Sequence, residues 1–426
     1  MADHSTHRPD SKESPKVFVS NHAMVVRIRG EFTDRELQVA IDRLRPRHKA
    51  LIPELEADDP VKSHFVLRIL PESQGPDWKE VVKAELLEPF PAGIGPFARF
   101  ILLRRGVSAD LVAVFHHGAC DGMSGVYALR DLLTLLADPG LVLPPLDPPP
   151  NTFALIPETV KNNRRVKNKI RAFLTSFRFF LFFQRLRRRF SPSGGGLKES
   201  SPASRRICVL THTLTAEQTA QLAARCKAEG TTVHAALCAA WLTAFAESLE
   251  GRKSWVRSVS SPVSLRDRLS IPETSGLFLA TVVTKVNCAP GRNFWQVARE
   301  FKQKLNLATT DENVFFFPLT IGAVFSHFSG KAMKEIMPAL FDRPVKYDFS
   351  VTNLGRLAIP EDNGSLHMEA FYNLVNTSDE ERTVCVNTFA GRLTWSYLFR
   401  ESKMDPQEAE KLVKAVLAKL FGAIVE

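Results

Sequence analysis

The sequence predicts an α/β protein built as two lobes, and three observations carry that reading. The chain has 426 residues, more than one ordinary core holds. Short β-rich runs alternate with helical patterns along most of it. A proline-rich stretch at 139–151 breaks that alternation and closes the first lobe.

Apolar residues make up 44% of the chain and charged residues 24%, a balance that fits a globular protein rather than a disordered one. Six cysteines, at positions 120, 208, 226, 238, 288 and 385, show no Cys-x-x-Cys spacing. They read as reduced core residues of a cytoplasmic protein, not as a disulfide frame. The first ten residues are polar and lack the apolar centre of a secretory signal. No run of about 18 apolar residues predicts a spanning helix.

A tail at 1–15 is expected to be disordered, and the first lobe is assigned to 16–155. Residues 17–31 alternate in the manner of a strand. A helix is predicted over 34–44, opened by Thr33 with Glu36 three residues on, a capping box. It ends near Arg45-Pro-Arg-His48, where His48 reads as a helix-end residue, with a functional role as the alternative. Strands follow at 64–69 and 98–103.

The centre of the lobe is Leu111-Val-Ala-Val-Phe-His116-His117-Gly-Ala-Cys120-Asp121-Gly122. An apolar run leads into two histidines, a few small residues follow, and an amphipathic pattern begins at Met123. That is a buried strand, a tight turn and a helix. Asp121 lies where a carboxylate accepts from orphan backbone N–H groups at a helix start, and Gly122 supplies backbone freedom. A histidine fixed at the end of a buried strand is well placed as a general base. The residues alone leave three other readings open. His116, His117 and Asp121 could ligate a metal, although a turn so short brings only one or two together. Cys120 could be a nucleophile. His117 could also be a satisfied core histidine.

Residues 156–200 form the linker between the lobes. From 159 to 190 there are eleven Lys and Arg and no acidic residue. The formal charge of the whole chain is +10, so the remainder carries −1 and a general nucleic-acid role loses its support. The stretch reads as a helix, basic at both ends, with Phe173, Phe177, Phe179, Phe180, Phe182 and Phe183 in its middle. Ser191-Pro-Ser-Gly-Gly-Gly breaks it. Two readings stand side by side: an interfacial helix on an anionic bilayer through 161–190, or a helix packing its phenylalanines on a lobe.

The second lobe, 201–426, opens with a strand at 206–214 and helices at 215–227 and 231–245. The latter is apolar around most of its surface and is expected to be buried, with His234 a core residue. Strands at 255–259 and 276–286 flank Pro262-Val-Ser-Leu-Arg266. A helix at 294–307 and apolar segments at 315–328 come next. A strand and turn follow at 347–355, ending Thr352-Asn353-Leu354-Gly355. Strands at 367–372, 383–389 and 392–399 are expected to finish the lobe's sheet, and a helix at 404–421 closes the chain.

His116-His117-x-x-x-Asp121-Gly122, set between strand and helix, resembles the signature of the thioester-dependent acyltransferases related to chloramphenicol acetyltransferase. These include the condensation domains of peptide synthetases, plant BAHD enzymes, wax ester synthases and polyketide-associated acyltransferases. The helix at 34–44 ends in a segment similar to the family's Arg-His-Pro-x-Leu, with Lys49 in place of the proline. Pro262-Val-Ser-Leu-Arg266 resembles a second signature, whose arginine pairs with the signature aspartate. Thr352-Asn353-Leu354-Gly355 resembles the Ser-Asn-Leu-Gly segment of the alcohol-acylating branch. The Asp-Phe-Gly-Trp-Gly of BAHD enzymes is absent. The basic, Phe-rich linker is the main departure from the family pattern.

The resemblance implies two chloramphenicol-acetyltransferase-like lobes with an active-site tunnel between them. It implies that His117 is the catalytic base and His116 a supporting residue. Asp121, Gly122 and Arg266 become scaffolding. A helix-start aspartate near an active site is tolerable when charge-paired and costly when left alone; the alternative is a surface Arg266 beside Asp267 and Arg268. Asn353 or Thr352 would support an oxyanion. The implied reaction moves an acyl group from acyl-CoA or an acyl carrier protein to an alcohol, with no bound cofactor and no metal. The linker's phenylalanines hint at a lipophilic acceptor. The alternatives are amide formation by a free-standing condensation enzyme, or a non-catalytic lipid- or carrier-binding relative. A monomer is expected, because two fused lobes already supply both halves of the site. The expected location is cytoplasmic, peripheral on the membrane if the linker binds lipid.

Overall fold

A computed structural model describes residues 20–52, 65–70, 77–90, 95–147, 150, 152–190, 206–249, 254–327, 347–376 and 382–425. The tail at 1–15 and the break at 191–196 lie outside the described residues. The first half runs β1 (Asn21–Arg29), α1 (Asp34–Leu44), β2 (Val66–Leu70), α2 (Trp78–Glu85), β3 (Ala98–Arg105), β4 (Ser108–His116) and α3 (Gly122–Ala137). Two short helices, α4 (Thr152–Leu155) and α5 (Glu158–Lys161), precede the long α6 (Arg164–Phe190). The second half begins β5 (Ile207–Thr213), α7 (Ala216–Ala228), α8 (Val233–Ser248), β6 (Val256–Ser264), α9 (Arg266–Leu269) and β7 (Leu279–Asn287). It continues α10 (Phe294–Ala308), α11 (Asp311–Val314), α12 (Phe316–His327), β8 (Phe349–Arg356) and β9 (Asp362–Asn363). It ends β10 (Leu366–Asn376), β11 (Thr383–Phe389), β12 (Arg392–Arg400) and α13 (Pro406–Val425).

These strands form two six-stranded sheets, ordered β2-β3-β4-β1-β10-β9 and β5-β12-β11-β8-β6-β7. In the first sheet, Met24, Val26, Leu111, Ala113 and Phe115 face α1 and α3, packing on Leu37, Ile41, Leu129 and Leu132. The opposite face, with Val25, Val112 and Val114, packs on Trp78 and Val82 of α2. Because both faces are covered, β1 is buried along most of its length instead of alternating between core and solvent. The capping box at Thr33 is present: Glu36 donates its backbone N–H to the Thr33 hydroxyl and accepts the Thr33 N–H.

In the second lobe α8 is the core element. Residues 235–242 are all buried, with Trp241 between Phe349, Trp395 and Tyr397. His234 sits beside this core, its Nε2 3.1 Å from Ser261 Oγ, and burial pushes its pKa down to about 4.

One expectation is corrected here. The strand expected at 367–372 does not finish the second sheet. As β10 it pairs antiparallel with β1, from Asn21↔Asn376 to Arg29↔His367, and so completes the first sheet. The C-terminal half therefore contributes to both lobes. The physical reason is that β10, buried at both ends and in its middle, needs a covered neighbour on each side, and β1 offers the free edge left by β4.

The linker is packed on its inner side. Ile156, Val160 and Val166 join Leu265, Leu269, Phe278, Phe315 and Leu319 in one apolar cluster. Farther along, Phe177 is fully buried against Val324 of α12, with Phe173 and Phe180 alongside.

Candidate active site

β4 ends at His116 and α3 begins at Gly122, so the five residues between them form the turn. Antiparallel β1 holds this strand end in register, with Asn21 opposite His116 and the His117 N–H donating to the Ser20 carbonyl at 2.8 Å. Pleating then sends the two histidines to different surroundings. His116 lies against Phe97 and Phe90, its Nδ1 accepting from the Gly118 N–H at 3.2 Å. His117 lies toward the α3 side.

His117 Nδ1 is 3.2 Å from the Cys120 carbonyl oxygen. A carbonyl only accepts, so Nδ1 carries the proton and Nε2 presents a lone pair. Burial holds the His117 pKa below the usual imidazole value, while the Cys120 carbonyl and the Asp121 carboxylate oppose that shift. The ring is therefore neutral at pH 7, in the tautomer a general base requires. Cys120 is fully buried, and burial pushes its thiol pKa well up, which keeps it protonated and a poor nucleophile. Among the described residues no group of three or more His, Cys, Asp and Glu could hold a metal ion.

Asp121 caps α3 and ties the lobes together. Its Oδ1 accepts the Ser124 N–H at 2.8 Å, and its Oδ2 accepts the Phe278 N–H at 3.0 Å from the second half of the chain. Arg266 Nη2 lies 3.1 and 3.3 Å from the two carboxylate oxygens and also donates to Ser124 Oγ and the Thr274 carbonyl. Both side chains of this ion pair are only 5% exposed. The guanidinium sits over the Phe278 ring, 4.7 Å from its centroid. Gly276 closes the arrangement, accepting the Asp121 N–H and donating to Ser124 Oγ. Such a buried pair is tolerable because nearly every lone pair and proton is satisfied.

Gly122 has a different use from the backbone freedom expected of it. It is the first residue of α3 and has no positive φ; a Cβ there would stand 2.6 Å from Leu354 Cδ2. A side chain there would require the Leu354 side chain to shift. That contact also places the Asn353–Leu354–Gly355 part of β8, where a turn was expected, against the start of α3. Asn353 Oδ1 accepts the Gly355 N–H at 2.8 Å. Thr352 lies one residue earlier on β8, paired with Cys385 of β11.

Sequence reasoning missed two parts of this region. His22 stacks on Phe115 at 5.0 Å and meets His117 edge-on at 5.4 Å. Neither of its ring nitrogens has a hydrogen-bond partner among the described residues. Burial, then the neighbouring His117 and His116, hold its pKa well below the usual value. It fits under α3 because residue 125 is glycine: a Cβ there would lie 2.9 Å from His22 Nε2. The second part is a buried relay in which His48 bridges Asp131 of α3 and Ser275 of the second lobe, 3.0 Å from each. Arg47 and Arg130 also pair with Asp131; against the desolvation that raises it, the His48 hydrogen bond and then the two arginines hold its carboxyl down at about 2. His48 is thus more than a helix end. Only the Arg47-His48 dipeptide after α1 gave a local signal of it.

Residues 203–397 match the family described as phthiocerol/phthiodiolone dimycocerosyl transferase C-terminus, PapA_C. That match covers somewhat less than half of the chain. No curated protein matches the sequence significantly. Among solved structures, this chain is similar to TRI3 trichothecene 15-O-acetyltransferase from Fusarium sporotrichioides. The two share 11% identity over 96% of this chain and 92% of that one, with a TM-score of 0.65. Polyketide synthase associated protein 5 from Mycobacterium tuberculosis is 15% identical, covering 95% and 94% of the two chains, with a TM-score of 0.62. The first condensation domain of the CDA synthetase is 14% identical, covering 97% and 92%, with a TM-score of 0.66. At these identities the likeness establishes the fold, that of the two-lobed condensation and chloramphenicol-acetyltransferase-like proteins.

Proposed function

We propose that this acyltransferase moves an acyl group from an acyl-CoA or acyl-carrier thioester to the hydroxyl of a lipophilic alcohol, with His117 as general base. The observation that carries the proposal is the tautomer of His117: Nδ1–H on the Cys120 carbonyl, Nε2 basic, in a turn clamped by Asp121 and Arg266. The substrates would meet in a tunnel between the lobes. Nε2 takes the hydroxyl proton as the oxygen attacks the thioester carbonyl. The tetrahedral oxyanion collapses, the C–S bond breaks, and the imidazolium returns the proton to the leaving thiolate. A thioester is already activated, so no covalent enzyme intermediate, cofactor or metal is needed. Asn353 Nδ2 or the Thr352 hydroxyl is assigned to the oxyanion, with His116, Gly122 and Arg266 shaping the turn.

The partners under this reading are the acyl donor, the alcohol and an anionic membrane surface along 161–190, the enzyme acting as a cytoplasmic, peripherally bound monomer. The likeness to a condensation domain supports a second reading, amide formation on an amine. Thiol release from acyl-CoAs of graded chain length, with pooled alcohols or pooled amines, tests both. Release that needs an alcohol and disappears in His117→Ala supports O-acylation. Release that needs an amine selects the second reading, and equal release by wild type and variant sinks the base assignment.

A further inference from the structure

Helix α6 has two apolar faces, and among the described residues only one of them packs on the rest of the protein. Val166, Phe173, Phe177 and Phe180, spaced at helical intervals, turn toward the second lobe and α12. Phe179, Phe182, Phe183 and Leu186 follow the same spacing on the opposite side. Phe179 and Phe183 are 61% exposed, Phe182 is 59% exposed, and Leu186 is exposed as well. Phe182 and Phe183 touch each other edge to face, 5.7 Å between centroids, so the outer face is one patch. A helix apolar on both sides is ordinarily buried on both sides.

Charge says what covers the outer face. The 27 residues of α6 include ten Lys or Arg and no acidic residue. Lys167, Arg171 and Arg178 are exposed on one flank of the patch, and Arg164, Arg165 and Lys169 are exposed toward the helix start. Aromatic side chains flanked by unopposed cations match the headgroup region of an anionic bilayer, where rings enter the acyl boundary and cations meet lipid phosphates. No described helix is long and apolar enough to cross a membrane, so the contact is one of lying on the surface.

We infer that α6 lies in the plane of an anionic lipid bilayer, inserting Phe179, Phe182, Phe183 and Leu186 while Phe173, Phe177 and Phe180 anchor it to the protein. This deepens the membrane partner named above and rests on it. The bilayer would also be the source of the lipophilic acceptor.

The test is co-sedimentation of the full chain with vesicles of phosphatidylcholine alone, or of equal parts phosphatidylcholine and phosphatidylglycerol, followed without turnover. Wild type and His117→Ala should both sediment with the anionic vesicles only, so a failed transferase assay and a failed binding assay are separable. The triple variant Phe179→Ser, Phe182→Ser, Phe183→Ser should partition about 100-fold more weakly. Lys167→Glu with Arg171→Glu and Arg178→Glu should weaken binding in the same direction, as should added salt; this second variant keeps the test open if the first fails to fold. Wild type left in the supernatant overturns the inference, and so does a serine variant that sediments like wild type. A wild-type dimer in solution that the serine variant dissolves would assign the face to a second copy instead, overturning it too.

Discussion

Around Asp121 charge lies inside the protein: a carboxylate and a guanidinium, each 5% exposed, face each other across the two lobes. Along α6 apolar surface lies outside: three phenylalanines stand about 60% exposed among cations. Ordinary burial would reverse both. The first is stable because the Ser124 and Phe278 N–H groups donate to the carboxylate and the guanidinium donates to the Pro272 and Thr274 carbonyls, replacing the lost water. The second has no such compensation among the described residues and calls for an external partner. The comparison teaches where to look for function: an internal exception satisfied by its own neighbours holds a site in shape, whereas an unsatisfied external one marks a contact.

Variants can break this contrast, beginning with the largest effect. His117→Ala should lower kcat/KM for acyl transfer by about 10²–10⁴-fold with little change in Tm, as expected of a lost general base. Asp121→Ala leaves Arg266 buried without its counter-charge and should destabilise the protein by about 3 kcal/mol or more, read by denaturant unfolding. Phe177→Ala, on the inner face of α6, should cost about 3 kcal/mol. Phe182→Ala, on the outer face, should change stability by less than about 0.5 kcal/mol. Equal costs for those two would erase the distinction between the faces.

The pH profile sharpens the catalytic side. A base works when unprotonated, and burial lowers the His117 pKa. The acid limb of kcat/KM should therefore lie below about pH 6.5, the ordinary imidazole value. A limb at higher pH would contradict the assignment. The smallest effect is expected at His22. Replacing its unpartnered buried imidazole with phenylalanine removes polar atoms that lack hydrogen bonds and should be neutral to stabilising, within about 1 kcal/mol. Loss of activity with stability retained would show that His22 belongs to the chemistry.

The sequence by itself determined the local pieces. The Thr33–Glu36 capping box and helix α1, the strand–turn–helix around His117 and the buried α8 follow from periodicity and capping within one short window. Two lobes followed from length and from the proline-rich break. The tertiary structure alone decided what joins distant windows. β10 crosses into the first sheet, because strand partners are chosen by long-range pairing that period-2 alternation does not encode. His22 reaches His117 only because β1 and β4 align in one register, and His48 reaches Ser275 only across the lobes. The same holds for α6: its sequence shows phenylalanines on two sides, and the packing against α12 decides which are core and which face outward.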